Sequence, residues 1–226
     1  MLKKGSGGNM DYNGNIKLER LAGLESNYYP QSYKDYLKEE AKEVLSLIKD
    51  AKRLLDVGCG SDACITDVAK SVKEYIGIDL DSAMLYNAKD KLSNFKKAIV
   101  KKLDVHKISQ EYGKNYFDVS IALWNALGCM GDEQHFIDEL AKVTKRKIIL
   151  SLVEKGNLKE RTKYYENLKT TYLVMDDGKE TIASPLWGYS RAYSKEDIER
   201  YAKNAGLKVE QFIPLAKIGL LAVLSK

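Results

Sequence analysis

Two glycines and a set of aspartates carry the chemistry that this sequence could do. In LLDVGCGSDACITDVAK, residues 54–70, an apolar run breaks at Gly58 and Gly60, and Ala63 completes a G-x-G-x-x-G/A spacing before a helix-like stretch. Asp79 follows about twenty residues after the first glycine, at the end of the next apolar run. Taken alone, this spacing suits a dinucleotide whose pyrophosphate rests on a helix N-terminus. The charges argue against that ligand. Asp56 precedes the first glycine and Asp62 occupies the place of the pyrophosphate. At about 4 Å and an effective dielectric near 20, each pair of like unit charges costs roughly 4 kcal/mol.

Asp56, Asp62, Asp79, Asp81 and Asp104 all fall at or just after expected strand ends, which makes one mouth of the fold acidic. Such a mouth suits a ligand with an ammonium, a sulfonium and a ribose diol, and no phosphate.

These residues need a framework that brings strand ends together. RLLDVG (53–58), EYIGID (74–79), AIVKKLDV (98–105), FDVSIAL (117–123) and KIILSLV (147–153) read as short buried strands. Helical patterns separate most of them: one precedes the first strand over 31–49, one runs through about 71, one is capped by Asp81 or Ser82, and one spans 132–143. The alternation predicts right-handed crossovers and a parallel sheet covered on both faces. Ser194 and Asp197 pattern as a capping arrangement for a helix to Asn204, with Gly206 as terminator. LKVEQFI (207–213) and GLLAVLSK (219–226) lie so close that they pair only antiparallel. The expected fold is therefore α/β, a doubly wound, Rossmann-like seven-stranded sheet, mostly parallel, ending in an antiparallel hairpin. Residues 1–15 read as a tail and 16–226 as a single domain. Residues 155–192, polar, aromatic and irregular, read as a functional insertion or lid.

The 54–70 stretch resembles motif I of the class I S-adenosylmethionine-dependent methyltransferases, whose loop usually reads acidic-x-Gly-x-Gly-x-Gly. The similarity covers about residues 50–153 by motif and reaches the C-terminal hairpin by topology. It implies S-adenosylmethionine as cofactor and S-adenosylhomocysteine as product. It also implies that Asp56, Gly58 and Gly60 line the methionine part and that Asp79 accepts from both ribose hydroxyls. Leu80 would then lie beside the adenine, with Asp104 and Val105 at the adenine edge. The family's third glycine falls on Asp62, which either only caps the helix or also pairs with the methionine ammonium.

A sulfonium methyl is already electrophilic, so the protein mainly has to hold a nucleophile in line and exclude water. WNALGCM (124–130) would floor the acceptor site, and it resembles the corresponding segment of glycine N-methyltransferase and its small-amine relatives. By that resemblance Asn125 contacts the acceptor; Cys129 stands where those relatives often carry histidine. Trp124 either stacks on adenine, walls the substrate or packs the core. His106, two residues past Asp104, is better placed as a base than His135, which patterns onto a surface helix. Tyr28 and Tyr29 before the first helix, and Trp187, Tyr189 and Tyr193 at the end of the insertion, would form an aromatic cover over the acceptor.

Composition narrows the alternatives. Three cysteines and two histidines form no zinc spacing, so no metal is expected and the cysteines read as reduced packing thiols. No run reaches bilayer length and no leader pattern opens the chain, which predicts a soluble cytoplasmic protein with no membrane partner. The net charge of +5 is modest. Lys96–Lys97 and Lys145–Arg146–Lys147 flank strand starts, opposite the expected ligand edge. A small-molecule acceptor, methylated at nitrogen or oxygen, is expected. Three rivals remain: an RNA or protein methyltransferase using Lys155, Lys159, Arg161, Lys163 and Lys169, a nicotinamide oxidoreductase, and a binding module that transfers nothing.

Overall fold

The computed structural model describes residues 26–60 and 64–226; Asp62, Ala63 and the 1–15 tail lie outside the described residues. The main sheet has seven strands in the order β3-β2-β1-β4-β5-β10-β9. Its first four are β1 (Arg53–Val57), β2 (Glu74–Asp79), β3 (Ala98–Lys102) and β4 (Phe117–Ala122). β5 (Thr144–Val153), β9 (Lys208–Leu215) and β10 (Gly219–Ser225) complete it. β1 through β5 pair in parallel, and β10 runs antiparallel to both β5 and β9. The predicted sheet and its closing hairpin are therefore present.

The pleat explains the two-sided core. On β1, Leu54 packs into one apolar layer and Leu55 and Val57 into the other. The first layer is closed by α1 (Gln31–Leu47), α2 (Ile65–Ser71) and α3 (Ser82–Lys91), through residues such as Tyr36, Val44, Val68 and Leu85. The second is closed by α4 (Ile108–Glu111), α6 (Glu133–Val143) and α8 (Lys195–Asn204). Between β4 and α6 lies the short helix α5 (Ala126–Met130), inside the stretch expected only as a site floor.

Local signals set the helix starts. Asp81 accepts from the N–H groups of Ala83 and Met84, and Ser194 forms a reciprocal capping box with Asp197. The 155–192 segment is more regular than its composition predicts. It contains α7 (Leu158–Asn167) and an antiparallel sheet of β6 (Leu173–Met175), β7 (Thr181–Ser184) and β8 (Gly188–Ser190). Arg161, fully buried, ties this insertion together by donating to the carbonyls of Glu180 and Ser190, both at 2.6 Å. Among the described residues no helix is long and apolar enough to cross a membrane.

Candidate active site

Strand order reverses between β1 and β4, the point where open α/β sheets bind ligands. A cavity of about 860 Å³ opens there, at the ends of β1, β2 and β4, and continues under α1, α7 and the insertion. That volume lies in the range of cofactor sites.

Its first wall is built from the glycine turn and the end of β2. Gly58 has φ +68°, so the backbone favours glycine, and a Cβ there would lie 2.7 Å from the Met130 methyl, which would have to swing aside. Asp79 Oδ2 accepts the Gly60 N–H at 3.0 Å while Oδ1 accepts the Asp81 N–H at 2.9 Å. Burial raises the Asp79 carboxyl above its ordinary range, opposed by those same hydrogen bonds. Each of its oxygens keeps a further lone pair for a ligand. Leu80, 56% exposed, presents an apolar face at the rim.

Asp104, Val105 and His106 form the adjoining wall beyond β3. The Asp104 carboxylate accepts from the His106 backbone N–H at 3.0 Å and lies 2.9 Å from His106 Nδ1. Partial burial works to raise the Asp104 carboxyl, but the bonds and charge from His106 outweigh it and leave it below the usual range. His106 Nε2 is buried with no hydrogen-bond partner among the described residues.

The opposite wall comes from the turn after β4 and from the insertion. Trp124 and Asn125 both have left-handed backbone, with φ of 44° and 59°. Glu40 on α1 accepts the Trp124 N–H at 2.8 Å. Burial raises the Glu40 carboxyl, against hydrogen bonds with Ser151, Trp124 and Tyr36. The Asn125 side chain is buried and fully engaged: its amide donates to Arg191 O (2.9 Å) and Ser190 Oγ (3.3 Å), and its oxygen accepts the Val153 N–H (3.2 Å). Although it borders the cavity, its bonds fasten the turn to the insertion. Tyr33, Tyr164, Tyr165 and Trp187 complete this wall.

The remaining sequence candidates fall outside the lining. Asp56 is buried in β1, where its carboxylate accepts the Tyr75 hydroxyl at 2.6 Å; burial pushes it up to about 7. Tyr29 packs against Trp124 and Tyr164 without lining the cavity. Tyr28 accepts from Asn167 through its carbonyl, and Tyr189 is exposed near Arg191. Tyr193 is buried with its hydroxyl donating to Glu133. His135 is exposed on α6, its ring 5.1 Å from that of His106. Of the basic residues in the insertion, Arg161 is buried, Lys155 pairs with Asp197 and Lys163 with Glu160, while Lys159 and Lys169 are exposed.

Tyr33, Tyr164, Tyr165 and Glu40 were not legible as site residues. A Tyr-Tyr pair in a polar segment was the available signal for two of them. Glu40 sits among α1's charged residues in sequence and nothing local marks it as buried.

Residues 48–206 match a family model described as a methyltransferase domain. No curated protein matches the chain. Among solved structures, a protein from Pyrococcus horikoshii OT3 superposes with a TM-score of 0.71 at 16% identity, over 92% of this chain and 98% of its own. Magnesium protoporphyrin IX methyltransferase from Synechocystis PCC 6803, solved with bound SAH, gives 0.68 at 16% identity over 95% and 96%. A SAM-dependent methyltransferase from Aquifex aeolicus gives 0.58 at 17% identity over 82% and 88%.

Proposed function

This chain belongs to the class I S-adenosylmethionine-dependent methyltransferases, and on that premise we propose that it methylates a nitrogen or oxygen of a small-molecule acceptor. The observation that carries the site assignment is the Asp79 carboxylate, fixed by the N–H groups of Gly60 and Asp81 at the mouth of the cavity. A carboxylate so held fits a ribose diol, because its free lone pairs can take two hydroxyl donors without a search over rotamers. Leu80 and Val105 offer apolar surface to a base, and Asp104 an acceptor for an exocyclic amine. The described lining holds Asp79, Asp81 and Asp104 but neither Lys nor Arg, which favours a cationic nucleoside over a pyrophosphate.

S-adenosylmethionine supplies an activated methyl group when bound. The protein's own part is then to position the acceptor and keep out water. Trp124 and Asn125 are locked by Glu40, Val153 and Arg191, so the wall facing the acceptor is rigid. Trp187 and Ser190 border the same space, where a bound acceptor would displace water. The small-molecule reading draws on the size of the cavity, about 860 Å³, and its lining by side chains of the same domain.

A panel of small amines and hydroxyl compounds, set against RNA fragments and a basic protein, tests the proposal by S-adenosylhomocysteine release. Turnover is expected with a small compound. Turnover confined to the macromolecules would overturn it.

A further inference from the structure

Resting on that reading of the site, we infer that the acceptor is a small amine without carboxylate or phosphate, received on aromatic ring faces that also hold its cationic product. The acceptor end is walled by Tyr33, Trp124, Tyr164, Tyr165 and Trp187. Tyr33 and Tyr164 stack at 5.3 Å between centroids, and Tyr29 meets Trp124 edge-on at 5.4 Å, so the rings are braced against each other. Among the described residues of this wall none is Lys, Arg, Asp or Glu.

Two consequences follow for the substrate. An acceptor bearing an anionic group would lose its hydration here, and the cation behind the rings, Arg161, is fully buried and engaged by the carbonyls of Glu180 and Ser190. An alcohol would have to shed a proton, and neither the Asn125 amide nor the three phenols at this end is suited to take it. Asn125 is engaged at both ends of its amide, and burial pushes Tyr33, Tyr164 and Tyr165 upward, the last to about 12. An amine needs no such group in the transfer itself. Its nitrogen lone pair forms the bond to the methyl carbon while the carbon–sulfur bond breaks and leaves its electron pair on sulfur. The positive charge passes to nitrogen; a secondary amine later gives its proton to water, and a tertiary amine has none to lose. The acceptor reacts as its free base, the proton of the ammonium form passing to water before transfer, and ring faces attract both that ammonium form and the cationic product through their quadrupole, most strongly where water is excluded.

Choline and 3,3-dimethylbutan-1-ol have the same shape and differ by one positive charge, so calorimetric titration of both into protein saturated with S-adenosylhomocysteine isolates the effect. Propionate serves as the anionic probe. Choline is expected to bind at least about tenfold more tightly than its neutral isostere, a difference of about 1.4 kcal/mol. Trp187→Leu and Tyr164→Leu should abolish that preference and Tyr164→Phe should keep it, with S-adenosylhomocysteine affinity unchanged in all three. If Tyr164→Leu fails to fold, Trp187→Leu makes the same comparison. Equal binding of choline and its isostere, tighter binding of propionate, or no choline binding at millimolar concentration overturns the inference while leaving the cofactor assignment standing. Failure of S-adenosylhomocysteine itself to bind would instead remove the reading on which the inference rests.

Discussion

Asp79 Oδ2 accepts the backbone N–H of Gly60 at 3.0 Å, which makes the acid at the end of β2 and the glycine turn after β1 a single unit. The turn cannot shift without moving the carboxylate. Ribose recognition and the glycine spacing are thereby one structural device, and Asp79→Asn tests it. The amide can still accept from one N–H but cannot accept from both and also from a diol. S-adenosylhomocysteine affinity is expected to fall by about tenfold to a hundredfold, at about 1.4 kcal/mol per decade, as read by calorimetry.

Gly58→Ala should destabilise the protein by about 1–2 kcal/mol through its left-handed backbone alone, in addition to the contact its Cβ makes with Met130. The double variant Gly58→Ala/Met130→Ala relieves the contact and leaves the backbone part. Urea denaturation of the parent, both single variants and the double variant separates the two contributions.

Arg161→Lys is expected to fail as a conservative change. The guanidinium reaches two carbonyls, of Glu180 and Ser190, from a fully buried position, and an ammonium lacks that planar fork. A loss of about 3 kcal/mol or more is expected, with early proteolysis within 155–192 as the local signature.

Asp56 gives a pH signature. Its carboxyl is pushed up to about 7 in the fold by burial, from an ordinary 3.8, so the folded state holds a proton that the unfolded chain has released between those values. The stabilisation is complete below about pH 4 and is lost as pH rises through about 7, by at most about 4 kcal/mol. Asp56→Asn keeps an acceptor for the Tyr75 hydroxyl and removes the proton. The fall in stability between pH 5 and 8 should be shallower in the variant, while Glu40 and Asp79, both raised, continue to contribute in the same direction.

Much of the sheet was legible because parallel strands buried on both faces read as short apolar runs. β1, β2 and β4 begin and end within a residue or so of their sequence signals, and Asp81 and the Ser194–Asp197 pair cap the helices they were expected to cap. β3 is shorter than its apolar run, since Leu103 to Val105 leave the sheet to form the cavity wall. The insertion was less legible. Its strands β6 and β8 have three residues each and α7 has a polar face, so neither period repeats often enough to be seen. Arg161 looks like a surface charge in sequence and is the buried hub of that insertion. The acidic mouth was readable at Asp79, Asp81 and Asp104, which line the cavity, whereas Asp56 faces Tyr75 inside the sheet. The ring-lined acceptor wall required tertiary structure, because Tyr33, Trp124 and Tyr164 meet only when α1, the β4 turn and α7 converge.

The most direct test of the cofactor assignment is thermal stability of the parent protein and Asp79→Ala with S-adenosylmethionine, S-adenosylhomocysteine and NADH in parallel. Ligand that binds only the folded state raises the transition in proportion to its occupancy. The parent should be stabilised by both sulfur nucleosides and not by NADH, and Asp79→Ala should lose most of that shift. Stabilisation by NADH alone, or an Asp79→Ala response equal to that of the parent, would contradict the account.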